Sequence, residues 1–329
     1  MTTMTINAGI IGGAGYTGGE LIRILLNHPF ATVAFAHSQS QAGKPVWATH
    51  TDLIGDTDLK FSGETVADLL QQDGLDVIFL CAGHGASRKF LDENEVPDNV
   101  SIIDLSADFR DESDDFVYGL PELQRDRIQQ SERIANPGCF ATAIQLALLP
   151  LANAGLIQEA IHVSAITGST GAGQALVPTT GFTWRNNNVS IYKAFEHQHL
   201  AEIGQSLTML QHELAQPIHF IPYRGNFTRG IMANVYTRYK GSISDAKMLY
   251  SSYYTSHPFT YLSDAPIDVK QVVNTNKALV HLEKHGDQLL ISSVIDNLTK
   301  GASGQAVQNM NLIFGLPEDA GLRLKSVGF

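Results

Sequence analysis

Cysteine is scarce in this chain. Only two cysteines, Cys81 and Cys139, occur among its 329 residues. Small secreted domains are stabilised by several disulfides, and two thiols in a chain this long cannot provide such a framework. The scarcity excludes the disulfide-rich class and predicts a reducing, cytoplasmic environment.

Positive charge is scarce as well. The chain has 22 Lys and Arg against 33 Asp and Glu, which gives a formal net charge of -11 at pH 7, and it contains no basic run. Proteins that bind nucleic acids concentrate Lys and Arg on one face to neutralise phosphates. We therefore expect no DNA or RNA partner.

Long apolar runs are missing too. The first apolar stretch leads directly into glycines and does not form the core of a signal peptide. The longest apolar segment, 143–157, is interrupted by Gln145, Pro150 and Asn153, which predicts a buried helix and not a membrane span. The composition is that of a globular protein, and we expect no membrane partner.

No pattern typical of a metal site occurs. The acidic stretches at 92–99 and 111–115 contain no His or Cys, so we interpret them as solvated loops. His197 and His199 lie two positions apart, which is poor ligand spacing on a helix, and no third ligand follows nearby. The sequence therefore predicts no metal.

The first part of the chain alternates between apolar strands and helical patterns. Residues 6–11 form a short apolar strand, a glycine-rich turn follows, and an amphipathic helical pattern then ends near Pro29. Strand patterns at 32–38, 75–83 and 101–109 continue this alternation. It predicts a Rossmann-type, doubly wound parallel sheet of the α/β class.

The pattern changes after about residue 140. Longer strands alternate there with fewer helices, as is typical of an antiparallel sheet. These strands lie at 161–167, 217–223, 230–239 and 288–296. We expect an α+β second domain with a mostly antiparallel sheet, followed by a helix that packs back on the first domain.

Three glycines stand between the first strand and the first helix. Gly12, Gly15 and Gly18 follow a GxxGxxG spacing. In this context backbone N–H groups can approach a pyrophosphate, and the helix dipole favours its charge. We interpret the segment as a dinucleotide-binding loop. The alternative is an ordinary tight turn, which also uses glycine.

The residues after the second strand indicate which dinucleotide binds. NAD-binding folds usually place a carboxylate there to bind the ribose 2′-hydroxyl. This chain has His37, Ser38, Gln39 and Ser40 instead. Without a carboxylate to repel a 2′-phosphate, and with hydroxyls to bind it, the segment favours NADP.

Cys139 follows a strand and an Asn-Pro-Gly turn and begins an apolar helix. The unpaired N–H groups of a helix N-terminus stabilise a thiolate, so this position predicts a lowered pKa and a nucleophile. Cys81 lies in an apolar strand and is interpreted as a small buried hydrophobe. A nucleotide fold with an activated cysteine indicates aldehyde or acyl-phosphate chemistry through a thioester.

Thioester chemistry also needs a group that transfers protons. Of the twelve histidines, His197 and His199 lie just before or within a helix of the second domain. Positions i and i+2 point to different sides of a helix, so at most one ring is expected to face the thiol. Which of the two is the base stays open, and the alternative for either is an exposed polar residue.

Eight segments cover nearly the whole chain and together form a highly specific set. They are GGAGYTGGEL (12–21), DLSADFR (104–110), YGLPEL (118–123), NPGCFAT (136–142), GSTGAGQ (168–174), HQHLAEI (197–203), NFTRGI (226–231) and DNLTKGASGQAVQNMN (296–311). The set resembles the N-acetyl-gamma-glutamyl-phosphate reductase family of arginine biosynthesis, which is related to aspartate-semialdehyde dehydrogenase. The resemblance implies NADPH-dependent reduction of the acyl phosphate to N-acetyl-L-glutamate 5-semialdehyde, with release of phosphate.

The resemblance also implies roles for individual residues. Cys139 becomes the nucleophile, and His199 or His197 becomes the base. The candidate cofactor-binding residues are Gly12, Gly15, Tyr16, Thr17, Gly18, Ser38, Ser40, Gly171 and Asn297. The candidate substrate-binding residues are Arg110, Arg229, Asn136 and Glu202. A guanidinium binds carboxylate or phosphate bidentately, although either arginine could instead form a structural ion pair.

The resemblance further implies a homodimer or homotetramer. It implies an NADP-binding domain, 1–139, that is rejoined by a C-terminal helix at 300–329, and a catalytic and dimerisation domain at 140–299. The chain departs from the family where it has Pro222, Tyr223 and Arg224 instead of the common Pro-His-Leu. It also has Gln174 where the family usually has a basic residue.

Two other functions compete with this interpretation. The substrate could be a related acyl phosphate, such as another N-acyl-glutamyl phosphate or an aminoadipyl phosphate. From a different class, the chain could be a non-catalytic, NADP-binding redox sensor. The NPGC segment at a helix start argues against a sensor, because a sensor needs no aligned nucleophile.

Overall fold

The computed structural model describes residues 5–328, and within them the chain divides into two compact units. The first unit contains the described residues up to Pro137 together with Ala302–Arg323. The second contains Gly138–Gly301 and the described residues after Arg323. Cys139 therefore belongs to the second unit, whereas the sequence placed the boundary just after it.

The first unit is built on a parallel sheet. Its strands are β1 (Ile6–Ile11), β2 (Ala31–His37), β3 (Phe61–Ser62), β4 (Val77–Leu80), β5 (Ser101–Asp104), β6 (Val117–Tyr118) and β7 (Arg133–Ala135). Its helices in this stretch are α1 (Tyr16–Leu25), α2 (Val66–Leu70), α3 (Ala86–Glu93) and α4 (Pro121–Gln129). The strand order is β3-β2-β1-β4-β5-β7-β6, and each pairing is parallel. The predicted Rossmann-type sheet is confirmed.

The strand β1 and the helix α1 that follows it in the sequence are both buried in the first unit. Ile10 and Ile11, whose side chains point to opposite faces of β1, are both buried, as expected when neighbouring elements cover a parallel strand on both faces. In α1 the adjacent Leu21 and Ile22 are both fully buried. These two elements place the glycine-rich turn between them at the carboxyl end of β1, where α/β sheets bind ligands.

A later segment returns to the first unit. It contains α9 (Gly304–Ile313), which packs against α1 and α4. A π-helical turn at Thr299–Ser303 comes before it, and Gly315 ends it with a left-handed φ of 63°. The helix is therefore shorter than the predicted 300–329, and the described residues after Arg323 group with the second unit.

The second unit is built on a mixed sheet. Its strands are β8 (Ile161–Thr167), β9 (Ser190–Ile191), β10 (Ile218–Arg224), β11 (Ile231–Arg238), β12 (Thr260–Ser263), β13 (Ala278–His285) and β14 (Gln288–Ile295). The order is β12-β13-β14-β11-β8-β10-β9. Two pairings, β8 with β10 and β12 with β13, are parallel, and the others are antiparallel. The mostly antiparallel sheet is confirmed.

Four helices accompany this sheet: α5 (Cys139–Asn153), α6 (Phe182–Arg185), α7 (His199–Leu210) and α8 (Ile243–Tyr254). The residues of α5 from Phe140 to Ala152 are all buried, and the helix packs against α7, β11 and β14. This confirms the buried helix that the apolar segment predicted. Within residues 5–328, no helix combines the length and apolar character that a membrane span requires.

Candidate active site

The turn between β1 and α1 has the backbone geometry of an anion-binding loop. Gly12 has a left-handed φ of 83°, and a methyl group there would lie 2.8 Å from the Cys81 carbonyl carbon. A methyl group on Gly18 would lie 2.6 Å from Gly13 Cα. Gly15 precedes α1, and its first N–H groups receive no side-chain cap from the described chain. These residues fit a pyrophosphate, because only glycine allows this close packing next to the uncapped N–H groups at the start of α1.

Two contacts that the sequence did not reveal support this loop. His50 Nε2 lies 2.8 Å from the Gly13 carbonyl oxygen, and Ser303 Oγ donates to the Thr17 carbonyl oxygen at 2.8 Å. Tyr16, the first residue of α1, is 39% exposed. His50 carries no motif that would have identified it, because it comes from a short turn far along the chain.

The predicted ribose-binding residues follow β2. Ser38 is buried and Ser40 is exposed on the next turn, with their hydroxyl oxygens 3.5 Å apart. The segment 37–42 contains no carboxylate. The end of β2 therefore offers two neighbouring hydroxyls to a ligand.

Arg110 and Asn136 lie in the first unit and contact each other. Arg110 Nε donates to the Asn136 carbonyl oxygen at 2.9 Å, and its Nη2 donates to the Leu105 carbonyl oxygen at 3.3 Å. The Asn136 side chain donates to the Ala302 carbonyl oxygen and accepts from Asn309 at 3.1 Å. Asn136 therefore binds the segment that contains α9. The sequence predicted only a substrate-binding role for Asn136 and did not reveal this structural one.

Cys139 is the first residue of α5, as the sequence predicted. Gly138 precedes it in an extended conformation, and α5 continues for 15 residues. Cys139 is half-buried. Gly301 packs against it, since a methyl group on Gly301 would lie 2.8 Å from Cys139 Cβ. The thiol therefore sits where the partial positive charge of a helix N-terminus stabilises a thiolate.

Glu202 lies beside the same helix start. The backbone N–H of Gly138 donates to Glu202 Oε2 at 2.9 Å, and the Glu202 side chain is buried. The Gly138 N–H is therefore not available to a reaction oxyanion.

His197 and His199 are neighbours in space. Their ring centroids lie 4.5 Å apart, and Phe140, which follows Cys139, contacts both rings at 5.5 and 6.3 Å. The helix begins only at His199, so the argument that i and i+2 diverge on a helix does not apply to His197. His197 Nδ1 instead accepts a hydrogen bond from the His199 backbone N–H at 3.2 Å.

The two histidines differ in their electrostatic surroundings. Burial, together with the positive charges of Lys193 and Arg224, lowers the pKa of His197 to about 4, against an opposing effect of Glu202. His199 Nε2 lies 3.8 Å from Glu202 Oε1. His197 is therefore neutral at pH 7, and His199 is the ring that has a carboxylate partner.

Tyr192 and Arg224 complete this cluster, and the sequence did not identify either as functional. The Tyr192 ring lies 5.7 Å from the His197 ring, and Arg224 Cζ lies 4.5 Å over the Tyr192 ring. Burial and the negative charge of Cys139 raise the pKa of Tyr192 to about 12, although Arg224 opposes the shift. Arg224 could have been singled out from the sequence, because it stands where the family commonly has the leucine of Pro-His-Leu.

Arg229 forms an ion pair. Its Nε and Nη2 donate to both carboxylate oxygens of Asp296 at 2.9 and 3.0 Å, and Nη2 also donates to Thr299. Asp296 is completely buried. The sequence left open whether Arg229 binds substrate or forms a structural ion pair, and the structure contains the ion pair.

Asn297 and Gly171 lie in the second unit. Asn297 Oδ1 accepts from the Gly230 backbone N–H at 2.7 Å, and its Nδ2 donates to Thr170 Oγ1 at 3.0 Å. Gly171 belongs to a short 3-10 turn, Ser169–Ala172. Asn297 therefore fixes this turn, which brings the two predicted cofactor-binding residues close to one another.

Cys81 lies outside the strand in which it was predicted, but it is shielded from solvent as expected. It follows β4 instead of lying inside it, and its N–H donates to the Ile11 carbonyl oxygen at 2.8 Å. Burial raises the pKa of Cys81 to about 12. Among residues 5–328, no group of three or more His, Cys, Asp or Glu side chains could hold a metal ion.

Comparisons with known proteins agree with this architecture. A family model described as "Semialdehyde dehydrogenase, NAD binding domain" matches residues 7–131, and one described as "Semialdehyde dehydrogenase, dimerisation domain" matches 139–297. A protein of Christiangramia forsetii is 57% identical over 98% of this chain and 99% of its own. One of Parabacteroides distasonis is 56% identical over 98% and 100%. Both are named N-acetyl-gamma-glutamyl-phosphate reductase. This chain belongs to the N-acetyl-gamma-glutamyl-phosphate reductase family.

Solved structures show that this reductase family shares its fold with semialdehyde dehydrogenases. Aspartate semialdehyde dehydrogenase II of Vibrio cholerae, complexed with ASA, has a TM-score of 0.72 at 18% identity, covering 95% of this chain and 99% of its own. The Candida albicans enzyme with NADP has a TM-score of 0.70 at 15% identity, covering 94% and 99%. The predicted family is confirmed, and the chain is an oxidoreductase that uses a nicotinamide cofactor.

Proposed function

We propose that this chain reduces N-acetyl-gamma-glutamyl phosphate with NADPH to N-acetyl-L-glutamate 5-semialdehyde and phosphate. The observation that carries the proposal is the position of Cys139 at the start of α5, beside Glu202 and the His197 and His199 pair. Relatives that are 57% and 56% identical over nearly the whole chain bear the corresponding name.

The cofactor is held by the first unit in this proposal. Gly12, Gly15 and Gly18 let the pyrophosphate approach the N–H groups at the start of α1, and the Ser38 and Ser40 hydroxyls bind the 2′-phosphate that distinguishes NADP from NAD. When bound, the reduced nicotinamide supplies a hydride. The absence of a carboxylate at the end of β2 supports the preference for NADP over NAD.

Cys139 carries the acyl group. Its thiolate attacks the γ-carbonyl carbon, the bond from that carbon to the phosphate oxygen breaks, and phosphate leaves with the electron pair. The product is a thioester on Sγ. After reduction of the thioester carbonyl, the carbon–sulfur bond breaks, which releases the aldehyde and restores the thiolate.

His199 transfers the proton in this scheme, and His197 positions it. His197, with its pKa near 4, is too weak a base to hold a proton at neutral pH. Glu202 Oε1 lies 3.8 Å from His199 Nε2, so His199 has a carboxylate beside it. His197 orients the start of α7 by accepting the His199 N–H. We therefore assign proton transfer to His199 and a neutral, positioning role to His197.

The reaction can be tested most directly in the oxidative direction. Purified protein should reduce NADP⁺ when N-acetylglutamate semialdehyde and inorganic phosphate are both present, and not when either is omitted. Catalytic efficiency, kcat/KM, should be higher with NADP⁺ than with NAD⁺. Absence of phosphate-dependent turnover would contradict the proposal, and equal efficiency with both cofactors would contradict the assignment of Ser38 and Ser40.

Arg110 is the first-unit candidate for a substrate anion. Its Nε and Nη2 donate to backbone carbonyl oxygens, which orients the guanidinium, and a guanidinium binds carboxylate or phosphate oxygens. Arg110→Ala should raise the KM for the acyl phosphate while NADPH binding stays unchanged. Weakened NADPH binding with normal substrate constants would refute this role.

The second unit is proposed to form the interface of a homodimer or homotetramer. The family model that matches residues 139–297 is described as a dimerisation domain. Light scattering of the purified protein should give the mass of two or four chains, and a monomer would contradict the assignment. We also propose a cytoplasmic location, which agrees with the scarcity of cysteine.

A further inference from the structure

Arg224 lies on the face of the second sheet that packs against the nucleophile helix. It is the last residue of β10, and alternation along the strand puts it on the same side as Phe220 and Pro222, both buried. The Phe220 ring lies 5.3 Å from both the Phe140 and the His197 rings. Arg224 therefore continues the row of side chains that faces the reactive cluster.

Tyr192 connects Arg224 to the histidines. Its backbone N–H donates to the Pro222 carbonyl oxygen at 3.2 Å, which fixes it beside β10. Arg224 Cζ lies 4.5 Å over the Tyr192 ring, and the centroid of the same ring lies 5.7 Å from that of His197. Stacking on an aromatic ring orients a guanidinium and leaves its N–H groups directed outward in the guanidinium plane.

The Arg224 guanidinium hydrogen-bonds the neutral Tyr192 side chain, but it pairs with no carboxylate among residues 5–328. Its Nε is buried and has no hydrogen-bond partner among residues 5–328. Arg185 lies against its backbone, donating from Nη1 to the Arg224 carbonyl oxygen at 2.8 Å. Glu202, the carboxylate of this cluster, already accepts the Gly138 N–H.

A buried N–H donor without a hydrogen-bond partner, such as Arg224 Nε, lowers stability. Such an arrangement is stabilised when an anion enters, because a guanidinium binds carboxylate or phosphate oxygens through charge-assisted hydrogen bonds. Arg229 cannot fill this role in the same way, since both Asp296 oxygens already occupy its guanidinium.

We propose that Arg224 binds an anionic group of the acyl-phosphate substrate, either its α-carboxylate or its phosphate, next to Cys139. This inference rests on the proposed function. The two anions belong to different reactants in the oxidative direction, where inorganic phosphate and the semialdehyde are added separately. Their Michaelis constants can therefore distinguish them.

The test compares Arg224→Gln with the wild-type protein in the oxidative reaction. Loss of a hydrogen bond to a charged ligand should raise one KM about 10- to 100-fold. An increase in the KM for phosphate assigns Arg224 to the phosphate, and an increase in the KM for the semialdehyde assigns it to the α-carboxylate. Arg224→Lys should restore part of the affinity, because it keeps the charge but not the bidentate fork.

Arg238→Gln is the matched control. Arg238 ends β11, which β8 separates from β10. It is half exposed and pairs with Glu159 and Asp287 away from the cluster, so its loss should change neither KM. If wild type is active and Arg224→Gln has unchanged Michaelis constants, the inference is wrong while the proposed function stands. If wild type lacks phosphate-dependent turnover, the proposed function fails and this inference fails with it.

Discussion

The two cysteines should differ sharply in their reactivity towards iodoacetamide. Both are half-buried, so access alone does not separate them. Cys139 begins α5, where helix N–H groups favour a thiolate. Cys81 lies after β4, where burial raises its pKa to about 12 and a hydrogen bond with Thr17 only partly offsets the shift. The thiolate is the reactive form, so Cys139 should be labelled first.

The size of the difference follows from the Cys81 pKa. An ordinary thiol has a pKa of about 8.5, roughly 3.5 units lower, so its thiolate is about 3,000 times more abundant near neutral pH. A less acidic thiol forms a more nucleophilic thiolate, with a Brønsted slope of about 0.4–0.5, which offsets nearly half of this on a logarithmic scale. A thiol of ordinary pKa should therefore react roughly one hundred times faster than Cys81, and Cys139, at a helix N-terminus, should react at least that fast.

The assay is timed alkylation of the folded protein followed by peptide mapping, with activity measured in parallel. Activity should fall at the rate of Cys139 labelling, and Cys139→Ser should be inactive while keeping its fold and its NADPH binding. Cys81→Ser is the matched control and should stay active. It should lose about 1 kcal/mol of stability, because the Thr17 contact can satisfy the new hydroxyl. Equal labelling rates, or an active Cys139→Ser protein, would refute the thioester mechanism.

Three further perturbations follow from the described contacts. Acidification from about pH 6.5 to 4 should cost up to about 3 kcal/mol through His197, because its folded pKa of about 4 lies below the unfolded 6.5 and the unfolded chain binds the proton first. Urea titrations across this pH range should show that the free energy of unfolding falls less in His197→Gln than in the wild type. Gly18→Ala should lower the free energy of unfolding by about 1–3 kcal/mol and weaken NADPH binding in fluorescence titrations, since its methyl group meets the backbone at 2.6 Å, whereas Gly204→Ala has open space and should do neither. Arg229→Ala should lower the free energy of unfolding by about 3 kcal/mol, because Asp296 would stay buried without its cation. Normal stability with a raised substrate KM would instead make Arg229 a substrate ligand.

Local features of the fold were predictable because they depend on neighbouring residues. The strand Ile6–Ile11, the glycine turn after it and the helix that begins at Cys139 all depend on hydrophobic runs and on Gly or Pro within a few positions. The parallel pairing of β8 with β10 was not predictable in this way. It joins Ile161 to Ile218, and no pattern within either strand records its partner.

The same distinction separates the site residues. The segment around Cys139 and the one carrying His197 and His199 were recognisable as motifs, but their contact through Phe140 appears only in three dimensions. Tyr192 belongs to no pattern, because a single aromatic residue in a loop is common. Its position matters only because its backbone pairs with Pro222 at the edge of the sheet.

The contrast between Arg229 and Arg224 shows why residue type alone could not assign the anion-binding group. The antiparallel register of β11 with β14 pairs Ile231 with Ile295, which carries Arg229 to the buried carboxylate of Asp296. At the end of β10, Arg224 is paired with Ser190, which has no charge to offer. The two arginines are five residues apart in one segment, yet the strand register brings Arg229 to a buried carboxylate and brings Arg224 to none.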